Sequence, residues 1–387
     1  MKFRISYGVT GTNSLNTGSF LTNNYPSLAL LGGASAVVDG TITNAFNPQN
    51  IPNDLLGWEQ SIEINPGVDF GLFNNAISGS LDYYRRNSED LLLNLPVAGT
   101  TGFINALVNR GEVQNEGFEF ELRNRIISSE KIRWRTTLIG SFNKNTLVDF
   151  ADSNGQIVNT QDGSRLVEWI NLVGQPISSF YGYVFDRDIP FEFLSDPFRQ
   201  VGNRTQFAYA KDLNGDGLIN DDDKTILGDP YPDLIWSFGS DFSYENFDFS
   251  FLIQGSHGAK TYNLGDQYVF DFFNSNTVDF DRSITPDQEF LVPRIFTSQL
   301  VQNAGYLALR TVSIGYNFSD DVVAKLHLSK LRLYATGQNL MFITAADYSG
   351  WNPEHIRNLP LGEQTYGYQR GGTPIPQTIT LGMNIEF

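Results

Sequence analysis

The strongest pattern in this chain is an alternation of apolar and polar residues with a period of two, which predicts β-strands rather than helices. It is clearest over residues 377–387. One side of that segment would carry Ile379, Leu381, Met383, Ile385 and Phe387, and the other Thr380, Gly382, Asn384 and Glu386. A strand with one apolar face, one polar face and a terminal aromatic residue is typical of the closing strand of an outer-membrane β-barrel.

The same alternation recurs from Lys2 onwards and predicts about ten strands. Phe247, Phe249, Phe251 and Ile253, for example, alternate with Asp248, Ser250, Leu252 and Gln254. Pro66-Gly67 interrupts one strand and predicts a β-bulge there. The best defined strands are expected near residues 58–72, 77–92, 110–127, 132–146, 235–244 and 247–256.

The connections between these strands alternate between short and long. Short turns are predicted at 73–76, 128–131 and 245–246, and long polar connections at 12–57, 93–109, 147–234, 257–304 and 343–376. In an outer-membrane barrel the short turns face the periplasm and the long loops face outside. Counting strands places the C-terminus on the short-turn side, as a barrel requires. The pattern therefore predicts an all-β, antiparallel transmembrane β-barrel segment.

The composition fits a barrel and excludes several other classes. The chain has 387 residues, of which 30 are Phe and 17 Tyr, enough aromatics to cover a lipid-facing surface. Its 43 acidic and 26 basic residues give a formal charge of −17, which argues against a nucleic-acid partner. The chain has no cysteine, so neither disulfides nor thiolate metal sites hold the fold.

Residues 212–223 match the spacing of a calcium-binding loop, D-x-[DN]-x-D-G. Asp212, Asn214 and Asp216 would supply side-chain oxygens, Leu218 its carbonyl, and Asp223 the last ligand in place of the usual Glu. The simpler interpretation is a surface turn rich in Asp, Asn and Gly with no metal. Because acids this dense repel one another, we predict a structural Ca²⁺ that orders an extracellular loop over residues 205–235.

Other candidate chemistry is weak. His257, His327 and His355 are far apart and form no zinc-binding motif, and no pair of carboxylates stands out as a general acid and base. We therefore expect no enzyme activity. Tyr262, Tyr268 and Trp351 could stack on sugar rings, but packing within loops or at the membrane interface is the favoured interpretation.

A series of short motifs follows along the chain in a defined order. They include LGWE at 56–59, GVDFGLFNN at 67–75, GSLDYYRR at 79–86, NEGFE at 115–119, LGDPYPD at 227–233 and GQNL at 337–340. In sequence and order these motifs, together with the terminal strand, resemble the SusC/RagA-type TonB-linked outer-membrane transporters. The resemblance covers nearly the whole chain.

That resemblance implies a 22-stranded barrel with an internal plug, located in the outer membrane of a bacterial cell, that takes up glycan fragments or peptides as nutrients. It also implies a SusD-like surface lipoprotein over the barrel and the TonB complex on the periplasmic side. No signal peptide, TonB box or plug is recognised in residues 1–387, and residues 1–20 alternate like a strand. We therefore expect the C-terminal part of the barrel, about 10–12 strands, incomplete for transport on its own.

One alternative remains open from the sequence. A secreted, calcium-stabilised all-β binding or adhesion domain would also show alternating strands, long loops and a calcium motif. Detergent dependence would separate the two, because only a membrane barrel needs an apolar solvent around its outer face.

Overall fold

The computed structural model describes residues 1–12, 27–151, 153–162, 165–188, 207–263, 291–293, 297–355, 366–369 and 372–387. Within these residues the chain is almost entirely β-structure. The strands are β1 (Lys2–Thr12), β2 (Leu31–Val38), β3 (Thr41–Pro48), β4 (Glu59–Leu72), β5 (Ile77–Glu89), β6 (Leu92–Pro96), β7 (Asn105–Asn109), β8 (Glu112–Ser128), β9 (Ile132–Asp149), β10 (Gly155–Asp162), β11 (Arg165–Leu172), β12 (Ser179–Tyr183), β13 (Phe185–Asp188), β14 (Phe207–Ala210), β15 (Lys224–Gly228), β16 (Leu234–Tyr244), β17 (Phe247–His257), β18 (Lys260–Asn263), β19 (Leu291–Pro293), β20 (Val301–Asn303), β21 (Tyr306–Asn317), β22 (Lys330–Thr344), β23 (Tyr368–Gln369) and β24 (Thr378–Glu386).

Helices are few and short in the described residues. They are α1 (Asp320–Lys325) and single 3₁₀ turns at Gly99–Thr101, Asp221–Asp223 and Ser298–Leu300. Across the part of the chain that the structure describes, no helix has the length and apolar character needed to cross a membrane.

Ten long strands form one antiparallel sheet in the order β1-β4-β5-β8-β9-β16-β17-β21-β22-β24. Successive long strands are neighbours throughout, and the shorter strands belong to the connections. The count of ten strands and the positions of the hairpins confirm the sequence prediction. Because every long strand pairs with the next, the whole sheet is built from up-and-down hairpins, the topology of a membrane barrel wall.

The two faces of this sheet have opposite chemistry. A row of opposed residues crosses six strands on one face, through Trp134, Phe242, Phe249, Ile314, Ala335 and Leu381. The adjacent row on the other face runs through Arg135, Asp241, Ser250, Ser313, Thr336 and Thr380. We call these the outer face and the inner face.

The outer face is not covered by a second sheet. Leu381 is 80% exposed, Phe118 51% and Phe249 38%. A β-sandwich would bury these side chains in a dry core between its sheets. Their exposure in continuous rows is what a lipid-facing wall requires, because lipid rather than protein would surround them.

Tight turns close the sheet on one side, which we call the short-turn side. Phe73, Asn74 and Asn75 all have positive φ, at 51°, 53° and 60°, and connect β4 to β5. Glu245, with φ of 49°, and Asn246 connect β16 to β17. Asn tolerates this left-handed backbone better than most residues, which explains its use at positions 74 and 75. The connection from β21 to β22 is longer and contains α1.

The long connections on the opposite side are folded rather than plain loops. They contain a four-stranded sheet (β10-β11-β12-β15), two three-stranded sheets (β13-β14-β19 and β20-β18-β23) and two hairpins (β2-β3 and β6-β7). We call this assembly the loop body. The sequence predicted only long polar connections here. Ten of these fourteen strands have five residues or fewer and carry too few alternating positions to be recognised, whereas β2, β3, β10 and β11 have eight residues each.

A compact aromatic core holds the loop body together. Trp169, Phe180 and Tyr262 are almost completely buried and pack with Leu300 and Tyr368. The ring centroids of Phe180 and Tyr262 are 5.8 Å apart in an edge-on arrangement, the geometry that aromatic pairs prefer. Because these residues come from three of the long connections, the core fixes those three connections relative to one another.

The bulge predicted at Pro66-Gly67 is wrong. The register of β4 against β1 runs through Pro66 and Gly67 without a shift. Against β5, the pairs Ile64–Arg85 and Gly67–Asp82 keep the same register on either side of the proline. Proline lacks the N–H that the ladder needs, so local pairing lapses without an extra residue being inserted.

Candidate functional site

The inner face of the ten-stranded sheet carries paired polar side chains that link neighbouring strands or reach across one strand to the next. Arg4 of β1 donates to Asp82 of β5 at 2.6 Å. Arg86 lies 2.7 Å from Glu63, and the Tyr84 hydroxyl donates to Asn143 at 2.7 Å. Such cross-strand pairs stabilise the sheet and fix the side chains that would face the interior of a barrel.

Two cavities lie one above the other against this face. The lower cavity, about 480 Å³, is lined by Glu63, Asn65, Tyr84, Arg86, Asn115, Glu119 and Asn143. The upper cavity, about 490 Å³, lies where the strands meet the loop body, and its lining includes Glu59, Ser61, Ser88, Asn115, Asn145, Ile177, Tyr231 and Tyr366. Asn115 lines both, so the two cavities adjoin along the wall.

Two tyrosines of the loop body line the upper cavity. The rings of Tyr231 and Tyr366 are stacked, with centroids 5.9 Å apart and planes 28° from parallel. Each is fixed through its backbone. Asp229 accepts the N–H of Tyr231 at 3.0 Å, and Trp169 donates its indole N–H to the carbonyl of Tyr366 at 3.1 Å.

The residue after Tyr366 explains why its backbone runs so close to the core. Gly367 has φ of 94°, and a Cβ at this position would lie 2.5 Å from Pro230 and 2.6 Å from the Phe180 ring. Only glycine satisfies both the left-handed backbone and the close approach. Gly367 thereby brings Tyr366 against the segment that carries Tyr231.

Asp229 has an unusual electrostatic environment. Burial raises the pKa of its carboxyl group, and the negative charge of Asp233 adds to this effect, while the N–H of Tyr231 works against it. Ionisation of Asp229 is therefore costly in the folded loop body. Its side chain caps the turn that presents Tyr231.

The predicted calcium loop is a tightly hydrogen-bonded turn. Asp212 accepts the N–H groups of Gly215 and Gly217, at 2.6 and 2.8 Å. Asn214 accepts the N–H of Asp216, and Asp216 that of Leu218, both at 2.8 Å. Side-chain oxygens of the first, third and fifth positions are thus turned towards the inside of the loop, as the calcium motif requires.

Asp223 closes this loop and is completely buried. Burial alone would raise the pKa of its carboxyl group, but the N–H groups of Asn220, Leu213 and Asn214 outweigh this and lower it. The groups that lower this pKa also include the side chain of Asp212. The acidic side chains at the two ends of the loop therefore lie side by side, where a divalent cation would relieve their repulsion.

A ready-made cluster of charged ligands is not present. Within the described ranges, no three His, Cys, Asp or Glu side chains converge so that they could hold a metal ion. The proposed ligand set reaches a usable number of oxygens only with the Asn214 amide and the Leu218 carbonyl. Calcium therefore stays a prediction.

The aromatic residues considered for sugar stacking have different environments. Tyr262 is 1% exposed in the aromatic core, so the packing interpretation is confirmed for it and stacking on a ligand is wrong. Trp351 is 71% exposed on the loop body. Tyr268 lies outside the described residues.

The aromatic pair that does line a cavity was not predicted from the sequence. Tyr231 lies in one of the motifs used for the resemblance, but nothing connected it with Tyr366, which is far away in the chain. The only local signal was the turn chemistry of Asp229-Pro230 before Tyr231 and of Gly367 after Tyr366.

Comparison with known proteins identifies relatives over the whole chain. No protein-family model matches. The chain is 31% identical to TonB-dependent receptor P3 and 30% identical to TonB-dependent receptor P26 of Formosa agariphila, in both cases over its full length. It is 24% identical to the TonB-dependent receptor SusC of Bacteroides thetaiotaomicron. The chain spans 39%, 40% and 37% of these three receptors, so it corresponds to well under half of each.

Solved structures show the same fold. The RagAB peptide importer in its open-open state matches 99% of the chain with a TM-score of 0.72 at 20% identity, and the match covers 40% of that importer chain. A further structure of the RagAB peptide transporter gives a TM-score of 0.69 over the whole chain. The ten-stranded sheet therefore has the fold of the barrel wall in these solved structures, in line with the antiparallel barrel segment that the strand pattern predicted.

Proposed function

Because this chain matches the SusC/RagA-type TonB-dependent receptors from end to end, we propose that it forms the C-terminal barrel portion of an outer-membrane importer of glycan fragments or peptides. Its relatives are receptors and transporters, which places the chain among proteins that are not enzymes. The observation that carries the proposal is the opposition of the two sheet faces. An exposed apolar outer face and a hydrogen-bonded polar inner face suit a wall between lipid and an aqueous interior.

In this proposal each side of the sheet has its own partner. The loop body would face the outside of the cell and meet a SusD-like lipoprotein, which would retain the substrate above the barrel. The short-turn side would face the periplasm, where TonB supplies energy. The plug, the TonB box and the remaining strands of a 22-stranded barrel would come from the rest of the receptor, so we expect these residues not to transport alone.

We also infer that the 212–223 loop binds Ca²⁺ as a structural ion. The inward-turned oxygens of Asp212, Asn214 and Asp216 support this, and so does the buried carboxylate of Asp223. The ion would supply positive charge at the end of β15. Lys224, the first residue of that strand, pairs with Glu168 of β11 at 2.8 Å, so an ordered loop would be tied directly to the loop body.

Surface labelling in intact cells tests the orientation of the full receptor. One epitope tag would be inserted after Gly217 and another between Glu245 and Asn246. We expect antibody to reach the first tag in intact cells and the second only after the outer membrane is permeabilised. Equal labelling of both tags, or recovery of the receptor as a folded protein in buffer without detergent, would instead support the secreted binding domain.

Uptake measurements test the activity. Cells carrying the receptor would be given fluorescent oligosaccharides and fluorescent peptides, with and without TonB. We expect accumulation of one of these classes only when both the receptor and TonB are present. Accumulation that is unchanged by deletion of the receptor would contradict the proposed function.

A further inference from the structure

We propose that the upper cavity is a binding subsite for an uncharged sugar residue, formed jointly by the strand ends and by the Tyr231–Tyr366 pair. This inference rests on the proposed function and refines it, because it selects neutral glycans over anionic glycans and peptides. The cavity would hold part of the substrate at the point where the loop body meets the barrel wall.

The size of the cavity suits a small part of a larger ligand. Its volume of about 490 Å³ lies within the range of roughly 300–1,000 Å³ found for small-molecule sites. Its walls come from two separate parts of the fold, the sheet below and the loop body above. A site at such a junction can close around one or two units of a chain while the remainder stays outside.

The aromatic pair supplies the apolar surface that a sugar needs. A pyranose ring has one face of C–H groups, which stack on aromatic rings as other apolar groups do. The stacked arrangement of Tyr231 and Tyr366 extends the aromatic surface beyond that of a single ring. Two hydrogen bonds, from the backbone N–H of Tyr231 to Asp229 and from Trp169 to the backbone carbonyl of Tyr366, fix the chain segments that carry the two rings.

The opposite wall carries groups that can pair with sugar hydroxyls. The hydroxyls of Ser61 and Ser88 lie 3.0 Å apart, and each can both donate and accept. Asn145 donates to Asn115 at 2.9 Å and accepts the N–H of Ile177 at 3.0 Å. Because these contacts fix the side chains, the remaining donors and acceptors of the amides keep a defined direction.

Charge favours a neutral ligand. Glu59 is the one charged side chain among the residues described as lining the cavity, and the lining includes no Lys or Arg. Its carboxylate is held by the N–H of Leu92 at 2.8 Å. A uronate or sulfate group would meet this negative charge with no cation to compensate it.

The backbone argues against a peptide at this position. Extended peptides are usually bound by pairing with a free strand edge. Ser61 of β4, at the cavity wall, is already paired with Thr10 of β1 on one side and Ser88 of β5 on the other. The sheet therefore offers no unpaired edge on β4 here, and recognition along that strand must come from side chains.

The test is a binding experiment on the full receptor purified in detergent, using intrinsic tryptophan fluorescence and calorimetry. The probes are a panel of neutral oligosaccharides, an oligogalacturonate and an oligoalanine, all of matched length. The variants are Tyr366→Ala, Tyr366→Phe and Glu59→Arg, with Trp351→Ala as the control for an exposed aromatic outside the cavity. The Trp169 bond to residue 366 uses the backbone carbonyl, so the alanine variant keeps it.

We expect at least one neutral oligosaccharide to bind and the other two probes not to bind. Tyr366→Ala should weaken binding roughly tenfold, while Tyr366→Phe should change it less than about threefold, because stacking uses the ring and not the hydroxyl. Trp351→Ala should leave the affinity unchanged. Glu59→Arg should allow the oligogalacturonate to bind.

Several results would overturn the subsite. One is that the unmodified receptor binds the uronate or the peptide in preference to the neutral sugars, and another is that it binds no neutral sugar. A third is that Tyr366→Ala and Trp351→Ala lower the affinity for the neutral sugar equally. If the receptor shows TonB-dependent uptake and the Tyr366→Ala variant binds the neutral sugar normally, the proposed subsite is wrong but the proposed import function is not contradicted. Absence of TonB-dependent uptake would refute the importer itself.

Discussion

The indole N–H of Trp169 donates to the backbone carbonyl of Tyr366 at 3.1 Å, across a sequence separation of 197 residues. This bond joins the buried core of the loop body to the wall of the upper cavity. Trp169 is completely buried, so its donor has no access to water as an alternative partner. The position of Tyr366 is therefore determined by packing in a core that lies outside the cavity.

The first prediction concerns this bond. Trp169→Phe keeps an aromatic ring in the core but removes the donor, which should cost about 1 kcal/mol for the lost hydrogen bond, plus the loss from a smaller ring. We expect faster hydrogen exchange around residues 366–369 and weaker sugar binding with an unchanged neutral preference. Unchanged exchange at these residues would show that the bond does not hold Tyr366.

The second prediction separates the two faces of the sheet. Phe251 and Ser250 are neighbours near the middle of β17, on the outer and inner face respectively. Phe251→Arg should destabilise the receptor in lipid by about 2–4 kcal/mol, because a charge would face hydrocarbon. Ser250→Arg places the same side chain in the aqueous interior and should cost much less.

Urea unfolding in lipid vesicles measures both variants of β17. The full receptor should be used, so that the barrel is closed. Equal destabilisation by the two substitutions would contradict the assignment of lipid to the outer face.

The third prediction concerns calcium. Removal of divalent ions with a chelator should speed proteolysis within residues 211–233, and added Ca²⁺ should restore protection. Asp216→Asn should weaken this protection, because it removes a charged ligand at the fifth position of the loop. Asp222→Asn, which removes a charge in the same loop outside the ligand set, is the matched control. Identical cleavage with and without chelator would argue against the ion.

The fourth prediction is a pH dependence at Asp229. Burial raises the pKa of this group in the folded state above its unfolded value. Its ionisation therefore destabilises the fold at neutral pH, and the penalty disappears as the pH falls through the folded-state pKa. Asp229→Asn can still accept the N–H of Tyr231 and should raise the unfolding temperature at neutral pH.

The unfolding temperature of Asp229→Asn should rise less on acidification than that of the unmodified receptor. Thermal unfolding at neutral and mildly acidic pH gives the comparison. A variant less stable than the unmodified receptor at neutral pH would mean that the carboxylate charge contributes favourably.

Much of the barrel wall could be predicted because the alternation of apolar and polar residues in a strand is visible within a few neighbouring positions of the sequence. A strand with lipid on one side must alternate, and the alternation around Phe249 and Leu381 placed both on the same face before any pairing was known. Asn74 and Asn75 likewise indicated the turn between β4 and β5 from the local sequence, since few other residues tolerate positive φ. Pairing order followed from hairpins between successive strands.

The loop body and the upper cavity could not be predicted, because they depend on contacts between distant segments. Nothing near Trp169 in sequence indicates that its partner is Tyr366. Asn109 shows the same limit. Its side chain bonds both the N–H and the carbonyl of Gly57, at 2.7 and 2.9 Å, and also the carbonyl of Asp90.

The aromatic core of the loop body has a consequence for how such a receptor can diverge. Trp169, Phe180 and Tyr262 hold the backbone of the connections without contributing their own side chains to the cavity lining. Residues that line the cavity can therefore be exchanged while the framework around them persists. Substitution of a few cavity-lining tyrosines could therefore change the substrate specificity of such a receptor without any change in the strands of the barrel wall.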